Sequence, residues 1–411
     1  MHEFGTIVAS AQERATETGD VIQEALATVR QHLGMEIAYF SEFVDGRSVF
    51  RRVDAPGLEQ LVKVGDSHSL DDVYCNHILK GRLPQLIPDT SREPLAASMP
   101  ITSAVPIGSH VSIPIHRPDG RPYGMFCCLS PKTSPSLNER DLGVMRIFAG
   151  LATKQLHGEI ERSTSHRHKR LAVETIIEKS EFDIAFQPIF DLKAMELVSM
   201  EALCRFRTTP YRSPDQWFED AAAVGLGIEL ELAALRTAAD YIERLPDDVS
   251  LSLNASPEAI LGGALHDVLD SRHLQRLVLE VTEHAQVADY DALHRALEPL
   301  RRSGLRIAVD DAGAGYSGLQ HIVQIRPDII KMDMSLTRGI DGDAARRALA
   351  SAMIFYARET GALIVAEGIE TESELRTLRL LGVARGQGYL LGRPAPLATG
   401  CGAAVPAALS A

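Results

Sequence analysis

From Asp183 onward, the sequence alternates short apolar runs with amphipathic helical stretches. This alternation is typical of repeated strand–helix units built around a largely parallel sheet. About eight apolar runs are present, which is the number that a closed strand–helix barrel requires. They read DIAFQPIF, LVSMEALCR, VSLSLNAS, RLVLEVTEH, RIAVDDAG, IIKMDM, ALIVAEGIE and QGYLLG. We therefore predict an α/β barrel of the TIM type for this part of the chain.

Acidic and amide side chains accompany the ends of these runs. In a barrel the strand ends meet at one rim, so we expect the side chains to converge there. Converging buried carboxylates repel each other unless a cation neutralises them, and oxygen ligands suit magnesium or manganese. For any single acid, a surface ion pair or a helix cap is an equal alternative, but seven together favour a metal site. The seven are Glu201, Asn254, Glu280, Asp310, Asp311, Asp333 and Glu367.

The N-terminal part predicts a smaller α+β domain with an antiparallel sheet. A helix should begin after Asp20, whose side chain can cap it, and end at Gly34. Two hairpins are expected, EIAYFSEFV with SVFRRV around Asp45-Gly46, and HVSIPIHR with PYGMFCCLS around a Pro-Asp-Gly turn. A long helix should follow from about Asn138.

Charge and cysteine content exclude several classes of protein. A formal net charge of −13 argues against binding a nucleic acid polymer, because phosphate chains need a basic surface. A small anionic substrate remains open, since bound divalent cations can supply positive charge. The five cysteines lack paired CxxC spacing, and no apolar stretch is long enough to span a membrane. We therefore expect a cytoplasmic protein that does not contact the membrane.

Eight motifs in the second half resemble, in order, those of EAL domains, over about residues 172–397. They are QPIF, EALCRF, LNASP, LEVTEH, VDDAGAGYS, IKMDMS, AEGIE and GQGYLLGRP. The resemblance implies a modified TIM barrel whose first strand, DIAFQPIF, is antiparallel. It also implies metal-dependent hydrolysis of cyclic di-GMP to linear pGpG. No GGDEF-type motif for synthesis of this nucleotide is present.

Carried over residue by residue, the resemblance assigns roles in the active site. One metal ion would be held by Glu201, Asn254, Glu280 and Asp310. A second ion, magnesium or manganese like the first, would be held by Asp310, Asp311 and Glu367, with Asp310 shared. Lys331 would contact the attacking water or the scissile phosphate, with Asp333 beside it. Substrate contacts are implied for Gln187 and Arg205, and support of the water or of the second metal's surroundings for Gln387. Glu283 would anchor the loop after Asp311, and Glu370 would have a similar supporting role.

The sequence departs from the family in one loop. Where the family has DDFGTG, Asp311 is followed by Ala312-Gly313-Ala314-Gly315, which puts the coupling of this loop to dimerisation and sensing in doubt. The resemblance favours a homodimer. Two alternatives to an active enzyme stay open, namely an inactive EAL domain that acts as a cyclic di-GMP receptor and a protein-interaction scaffold. For Glu283 and Glu370, a carboxylate at a helix N-terminus is the alternative role.

Residues 18–157 resemble a GAF domain, which implies sensing of an unknown small ligand. Cys75 and His77 could hold a chromophore or haem, but a buried Cys75 and a surface His77 are the commoner fates. Adjacent Cys127 and Cys128 should point to opposite sheet faces. The sequence predicts a connecting helix over residues 158–178. Several histidines lie close together near this helix, and we interpret them as part of a solvated helix surface rather than as a metal site. The barrel is expected over residues 179–400.

Overall fold

The computed structural model describes residues 20–269, 273–281, 287, 289–313 and 316–397, with the backbone alone for 316–320. The chain divides into two compact units, Met1–Ser165 and His166–Ala411. Each unit is described by itself below. Among the described residues, no helix combines the length and the apolar composition that crossing a membrane requires.

The first unit is built on a six-stranded antiparallel sheet with the strand order β3-β2-β1-β6-β5-β4. Along the chain, helices come before the first strand of this sheet, between its strands and after its last strand. The elements are α1 (Val21–Leu33), β1 (Ile37–Val44), β2 (Arg47–Asp54), β3 (Ser67–Ser69), α2 (Tyr74–Leu79), β4 (Leu86–Ile87), α3 (Pro94–Ser98), α4 (Pro100–Ala104), β5 (Ser109–His116), β6 (Pro122–Ser130) and α5 (Glu139–Lys179). Helix α5 begins in the first unit and ends in the second.

Local sequence signals account for the ends of these elements. The Asp20 carboxylate accepts a hydrogen bond from the Gln23 backbone N–H at 3.0 Å, which caps α1. Gly34 ends that helix in the left-handed conformation, with φ of 62°. Asp45 and Gly46 both have positive φ, as a two-residue hairpin turn requires. The predicted first helix and both predicted hairpins are therefore confirmed.

The sheet of the first unit buries side chains on both faces. Cys127 and Cys128 are neighbours on β6 and belong to two different apolar clusters, which confirms that they point to opposite faces. Cys75 is buried, as expected. The expectation of a surface position for His77 is wrong, because this side chain is only 9% exposed. Residues 74, 75, 77 and 78 lie on one side of the short helix α2, and that side packs inward.

The second unit is a closed eight-stranded barrel with helices between its strands. Its strand order is β10-β11-β12-β13-β14-β7-β8-β9. The elements are β7 (Phe182–Asp191), β8 (Leu197–Phe206), α6 (Pro214–Ala223), α7 (Gly227–Ala239), β9 (Ser250–Ala255), α8 (Pro257–Leu261), α9 (Leu265–Val268), β10 (Leu277–Val281), α10 (Tyr290–Arg302), β11 (Arg306–Ala312), α11 (Tyr316–Ile325), β12 (Ile329–Met332), α12 (Met334–Thr337), α13 (Ala344–Thr360), β13 (Leu363–Ala366), α14 (Glu372–Leu381) and β14 (Arg385–Gly386).

Strand β7 runs antiparallel to both of its neighbours, β8 and β14, whereas the other barrel pairs are parallel. The closed α/β barrel predicted from the strand–helix alternation is therefore confirmed. The position of its last strand is corrected. Strand β14 lies at Arg385–Gly386, just before the expected run QGYLLG. Gly388 packs against the Ile369 backbone, and the chain then turns, so that the Leu391 N–H donates to the Gly388 carbonyl.

Candidate active site

Lys331 lies at the centre of an acidic cluster inside the barrel. Its side chain comes from β12 and is only 1% exposed. Four carboxylates on four other chain segments approach its ammonium group. The Nζ atom lies 2.7 Å from Glu280 Oε2, 2.8 Å from Glu367 Oε1, 3.0 Å from Asp310 Oδ1 and 3.4 Å from Glu201 Oε1. The single cation therefore offsets part of a large negative charge.

Burial and the interactions between charges shift the pKa values of the side chains in this cluster. Burial raises the pKa of Glu280 well above its ordinary value, although the Lys331 charge opposes this effect. Burial likewise raises the pKa of Glu367 to about 8. For Lys331, burial alone would disfavour the charge, but the surrounding carboxylates outweigh it and raise the pKa of the ammonium well above the usual range. An uncompensated acidic cluster of this kind favours binding of further positive charge.

An irregularity in β11 brings two adjacent aspartates to the cluster. Neighbouring residues of a regular strand point to opposite faces. Here Val309 pairs with Ile330 but Ala312 pairs with Met332, so β11 contains one extra residue between these positions. Such a bulge re-aims the side chains that it contains. Asp311 adopts a φ of 52°, and its carboxylate lies with that of Asp310 in one group.

The carboxylates form two groups that share one residue. In each group, ligand atoms lie within 4.8 Å of one another, which is close enough to hold one cation. The donors are oxygen atoms only, and this chemistry suits magnesium or manganese. The groups are Glu201 with Glu280 and Asp310, and Asp310 with Asp311 and Glu367. The structure therefore brings together the five carboxylates that the resemblance assigns to two ions, and Asp310 belongs to both groups. Asn254 belongs to neither group but contacts Glu201.

Glu201 lies in the middle of β8 rather than at a strand end, which corrects the expectation that placed it at the end of a run. Only residues 199–201 of this strand pair with β9, and the remainder pairs with β7 alone. Gln387 Nε2 donates to Glu201 Oε2 at 2.6 Å, and Asn254 Nδ2 donates to Glu201 Oε1 at 3.4 Å. These two hydrogen bonds hold the Glu201 carboxylate in place. The contact that the structure shows for Gln387 is therefore with Glu201.

An open cleft of about 760 Å³ leads to these acids. Its lining includes Glu201, Asn254 and Asp310 at one end, together with apolar and aromatic side chains such as Phe218. Arg205 also lines the cleft, and its Nη1 donates to the Cys204 carbonyl at 2.8 Å. The cleft is large enough for a ligand of nucleotide size, and Arg205 contributes positive charge to its lining.

Three of the predicted site residues make other contacts. Gln187 pairs with Glu201 across β7 and β8, and its Nε2 donates to the Gly392 carbonyl at 3.2 Å. The Asp333 carboxylate accepts from the Ser335 backbone N–H at 2.9 Å and thereby caps α12. Glu370 forms an ion pair with Arg338. Glu283 lies outside the described residues.

Two supporting acids were not identified from the sequence. Glu231 accepts hydrogen bonds from the Ser256 backbone N–H at 2.6 Å and from Ser256 Oγ at 2.7 Å, which fixes the loop that follows Asn254. Glu374 is buried and accepts from the backbone N–H groups of Gly339, Glu370 and Thr371. The capping pattern Thr371-x-x-Glu374 was a usable signal for Glu374, whereas Glu231 carried none.

The family profile for the EAL domain matches residues 170–394, which is more than half of the chain. The chain belongs to the EAL-domain family. A second profile, for the GAF domain, matches residues 17–156. The resemblances to EAL and GAF domains read from the sequence motifs are therefore confirmed.

Two curated relatives of this EAL protein match slightly more than half of its chain. The probable cyclic di-GMP phosphodiesterase PdeD of Escherichia coli is 29% identical over 53% of this chain and 42% of its own length. The cyclic di-GMP phosphodiesterase NbdA of Pseudomonas aeruginosa is 31% identical over 58% of this chain and 32% of its own length. The chain thus spans less than half the length of these curated relatives.

A solved structure of the PaMucR phosphodiesterase in complex with c-di-GMP is similar to part of this chain. It is 28% identical, with a TM-score of 0.50, and the match covers 56% of this chain and 98% of the solved chain. This likeness extends along nearly the whole of the solved chain, whereas the curated relatives match over less than half of their length.

Proposed function

We propose that this EAL protein hydrolyses one phosphodiester bond of cyclic di-GMP to give linear pGpG. The observation that carries this proposal is the arrangement of the acids around the buried Lys331. They form two groups of residues, and Asp310 belongs to both. The names of the relatives, cyclic di-GMP phosphodiesterases, agree with it. A degenerate domain that only binds the nucleotide would be expected to lack one of the acids, and all of them are present.

The side chains of the site have distinct roles in this proposal. Glu201, Asn254, Glu280 and Asp310 would hold one divalent cation, and Asp310, Asp311 and Glu367 would hold a second. When bound, magnesium or manganese ions lower the pKa of a shared water and neutralise charge on the phosphate.

Lys331, which lies among the same acids, would donate a hydrogen bond to the phosphate as negative charge develops. Arg205 contacts the dinucleotide in the cleft, and Gln187 contacts it beside Gly392. Gln387 keeps the Glu201 carboxylate oriented. Asp333 caps α12 and thereby fixes the segment that follows β12. Glu370 forms an ion pair with Arg338 and thereby fixes the segment that follows Glu367.

The remaining assignments concern the whole protein. The GAF domain, over residues 18–157, would bind a small ligand and regulate the barrel at residues 179–400 through a connecting helix at 158–178. The working form would be a cytoplasmic homodimer. Gel filtration with light scattering checks the dimer, and removal of residues 1–157 checks whether the barrel has a different rate without the GAF domain.

The activity is tested by incubating purified protein with cyclic di-GMP and separating the products by chromatography. We expect pGpG to form with magnesium or manganese and not with a chelator. Glu201→Ala should lower turnover by at least about 100-fold, because it removes one of the carboxylates that would hold the first ion. Glu359→Ala, a change of an exposed glutamate on α13, is the matched control and should leave the rate unchanged.

Three results would contradict the proposal or part of it. Tight nucleotide binding without any product would make the protein a cyclic di-GMP receptor. Neither binding nor turnover in the folded, metal-supplied protein would favour an interaction scaffold. Unchanged turnover of a folded Glu201→Ala variant would remove this residue from the site.

A further inference from the structure

Helix α6 forms part of the wall of the open cleft that leads to the acids. Pro214, Asp215 and Phe218 line the cleft from this helix, and Tyr211 lines it from the loop that precedes the helix. The two groups of carboxylates come from other segments of the barrel. A shift of α6 would therefore change the shape of the cleft and leave the carboxylate groups in place.

Asp220 lies on another side of the same helix. It follows Phe218 by two positions, which turns its side chain by about 200° around the helix axis. Asp220 is buried, and its two oxygen atoms have different partners. Oδ1 lies 2.6 Å from Lys169 Nζ on α5, and Oδ2 lies 2.5 Å from Arg212 Nη2 in the loop before α6. One carboxylate thus ties together α5, α6 and the loop that carries Tyr211.

Further contacts join the same three segments. Arg170 on α5 donates to the Val224 carbonyl at the end of α6, at 3.3 Å. The guanidinium of Arg212 lies over the Trp217 ring, 4.4 Å from its centroid. Val173 on α5 and Trp217 on α6 both belong to the apolar core of the barrel. The end of α5 and helix α6 are therefore fixed to each other by charge and by packing.

The carboxylate at the centre of these contacts is ionised. Burial would raise the pKa of Asp220, but the hydrogen bonds and charges of Lys169 and Arg212 outweigh burial and lower the pKa below its ordinary value. Removal of one partner from a buried ion pair leaves the other charge without compensation. The position of α6 therefore depends on the Asp220 charge and on a lysine that belongs to α5.

We propose that Asp220 is a positioning residue for nucleotide binding, which holds the cleft wall against the end of α5 through Lys169. The inference rests on the proposed function, because the nucleotide is cyclic di-GMP. Lys169 and Asp220 are not among the described residues that line the cleft, so they act through Tyr211, Asp215 and Phe218, which do. A movement of the end of α5 would shift this wall and thereby change the affinity for the nucleotide.

The first test measures kcat and KM of the full-length chain with cyclic di-GMP and magnesium. Asp220→Asn removes the charge and nearly keeps the shape, and it should raise KM about 3- to 10-fold while kcat changes less than about twofold. Lys169→Met, a change on α5 alone, should also raise KM, whereas Lys169→Arg keeps the charge and should keep the parent KM. Glu219→Gln, at an exposed position next to Asp220, is the matched control and should behave as the parent does.

The second test needs no nucleotide. Trp217 on α6 is the only tryptophan of the chain and is 5% exposed. Quenching of its fluorescence by acrylamide should increase in Asp220→Asn and in Lys169→Met, because α6 is held less firmly, and should stay unchanged in Glu219→Gln. The Lys169 side chain is 41% exposed, so Lys169→Met should fold even where Asp220→Asn does not.

The two tests separate this inference from the function on which it rests. A folded parent that neither binds nor hydrolyses cyclic di-GMP would overturn the proposed function. Unchanged quenching in Lys169→Met and Asp220→Asn would show that this ion pair does not hold α6. In an active parent, an unchanged KM in both variants, or a loss confined to kcat, would overturn the positioning role.

Discussion

At the scale of single residues, the buried Lys331 shows how the charges of the site depend on each other. Its ammonium is surrounded by four carboxylates, and neither the cation nor the acids would be stable there alone. The sequence around Lys331 does not predict that this strand residue contacts four carboxylates. Three partners lie on three different strands and Glu367 directly follows a fourth, so the contacts exist only in the closed barrel.

Replacement of this lysine should expose that dependence. Lys331→Met leaves the acids without their cation and should destabilise the metal-free barrel by about 3–5 kcal/mol. Urea unfolding in the presence of a chelator measures the loss, and Lys193→Met, at an exposed position, is the control. An unfolding midpoint equal to that of the parent would show that the acids are neutralised by protonation alone.

His110 should make the first unit sensitive to acid. It is 1% exposed, and neither ring nitrogen has a hydrogen-bond partner among the described residues. Burial lowers the pKa of His110 from an ordinary value of 6.5 to about 4. Between these values the unfolded chain takes up a proton that the folded unit resists. The free energy of unfolding should therefore fall as the pH drops from 6.5 towards 4, by about 2 kcal/mol at pH 5.

The variant His110→Phe removes this titration and keeps an aromatic ring against Tyr74, which now contacts His110 edge-on at 5.1 Å. Urea unfolding at pH 7 and pH 5 should show that the variant loses less stability than the parent. His116→Asn, at an exposed position on the same strand, should behave as the parent does. An identical pH dependence in parent and His110→Phe would rule out His110 as the source.

At the scale of elements, the bulge in β11 decides where the paired aspartates lie. The motif predicted that Asp310 and Asp311 could serve two ions, but a regular strand would have turned one of them away. The extra residue between Val309 and Ala312 resolves this conflict. The loop that follows departs from the family pattern, and of its two glycines only Gly313 lies within the described residues.

Gly313 is required by both backbone conformation and space. Its φ is 108°, and a Cβ atom at this position would overlap Leu336 Cδ1. Gly313→Ala should therefore cost about 1–3 kcal/mol in the free energy of unfolding. The control Gly143→Ala, in helix α5 with open space around the added carbon, should stabilise the protein by about 0.5–1 kcal/mol. Equal effects of the two changes in chemical unfolding would contradict this assignment.

At the scale of the whole molecule, the two units have separate cores. The barrel core is formed by residues from Val173 onward, and the first unit has two clusters, one on each sheet face. Repeated strand–helix alternation predicted the barrel, and the hairpin signals predicted the antiparallel sheet, because both patterns are set by local periodicity. The last strand was predicted a few residues too late, because a strand of two residues, Arg385–Gly386, is too short to show an alternating pattern of side chains.

The sequence by itself determined the classes of the two domains, the identity of the clustered acids and the membership of the EAL family. Local periodicity is enough for the classes of the domains, whereas the acids and the family follow from the order of the motifs and their resemblance to EAL domains. The tertiary structure alone decided that Gln387 holds Glu201 from 186 positions away and that Lys331 contacts four acids. The physical reason is that strand register, a one-residue bulge and barrel closure set distances between remote residues, and none of these is encoded by the pattern of neighbouring side chains.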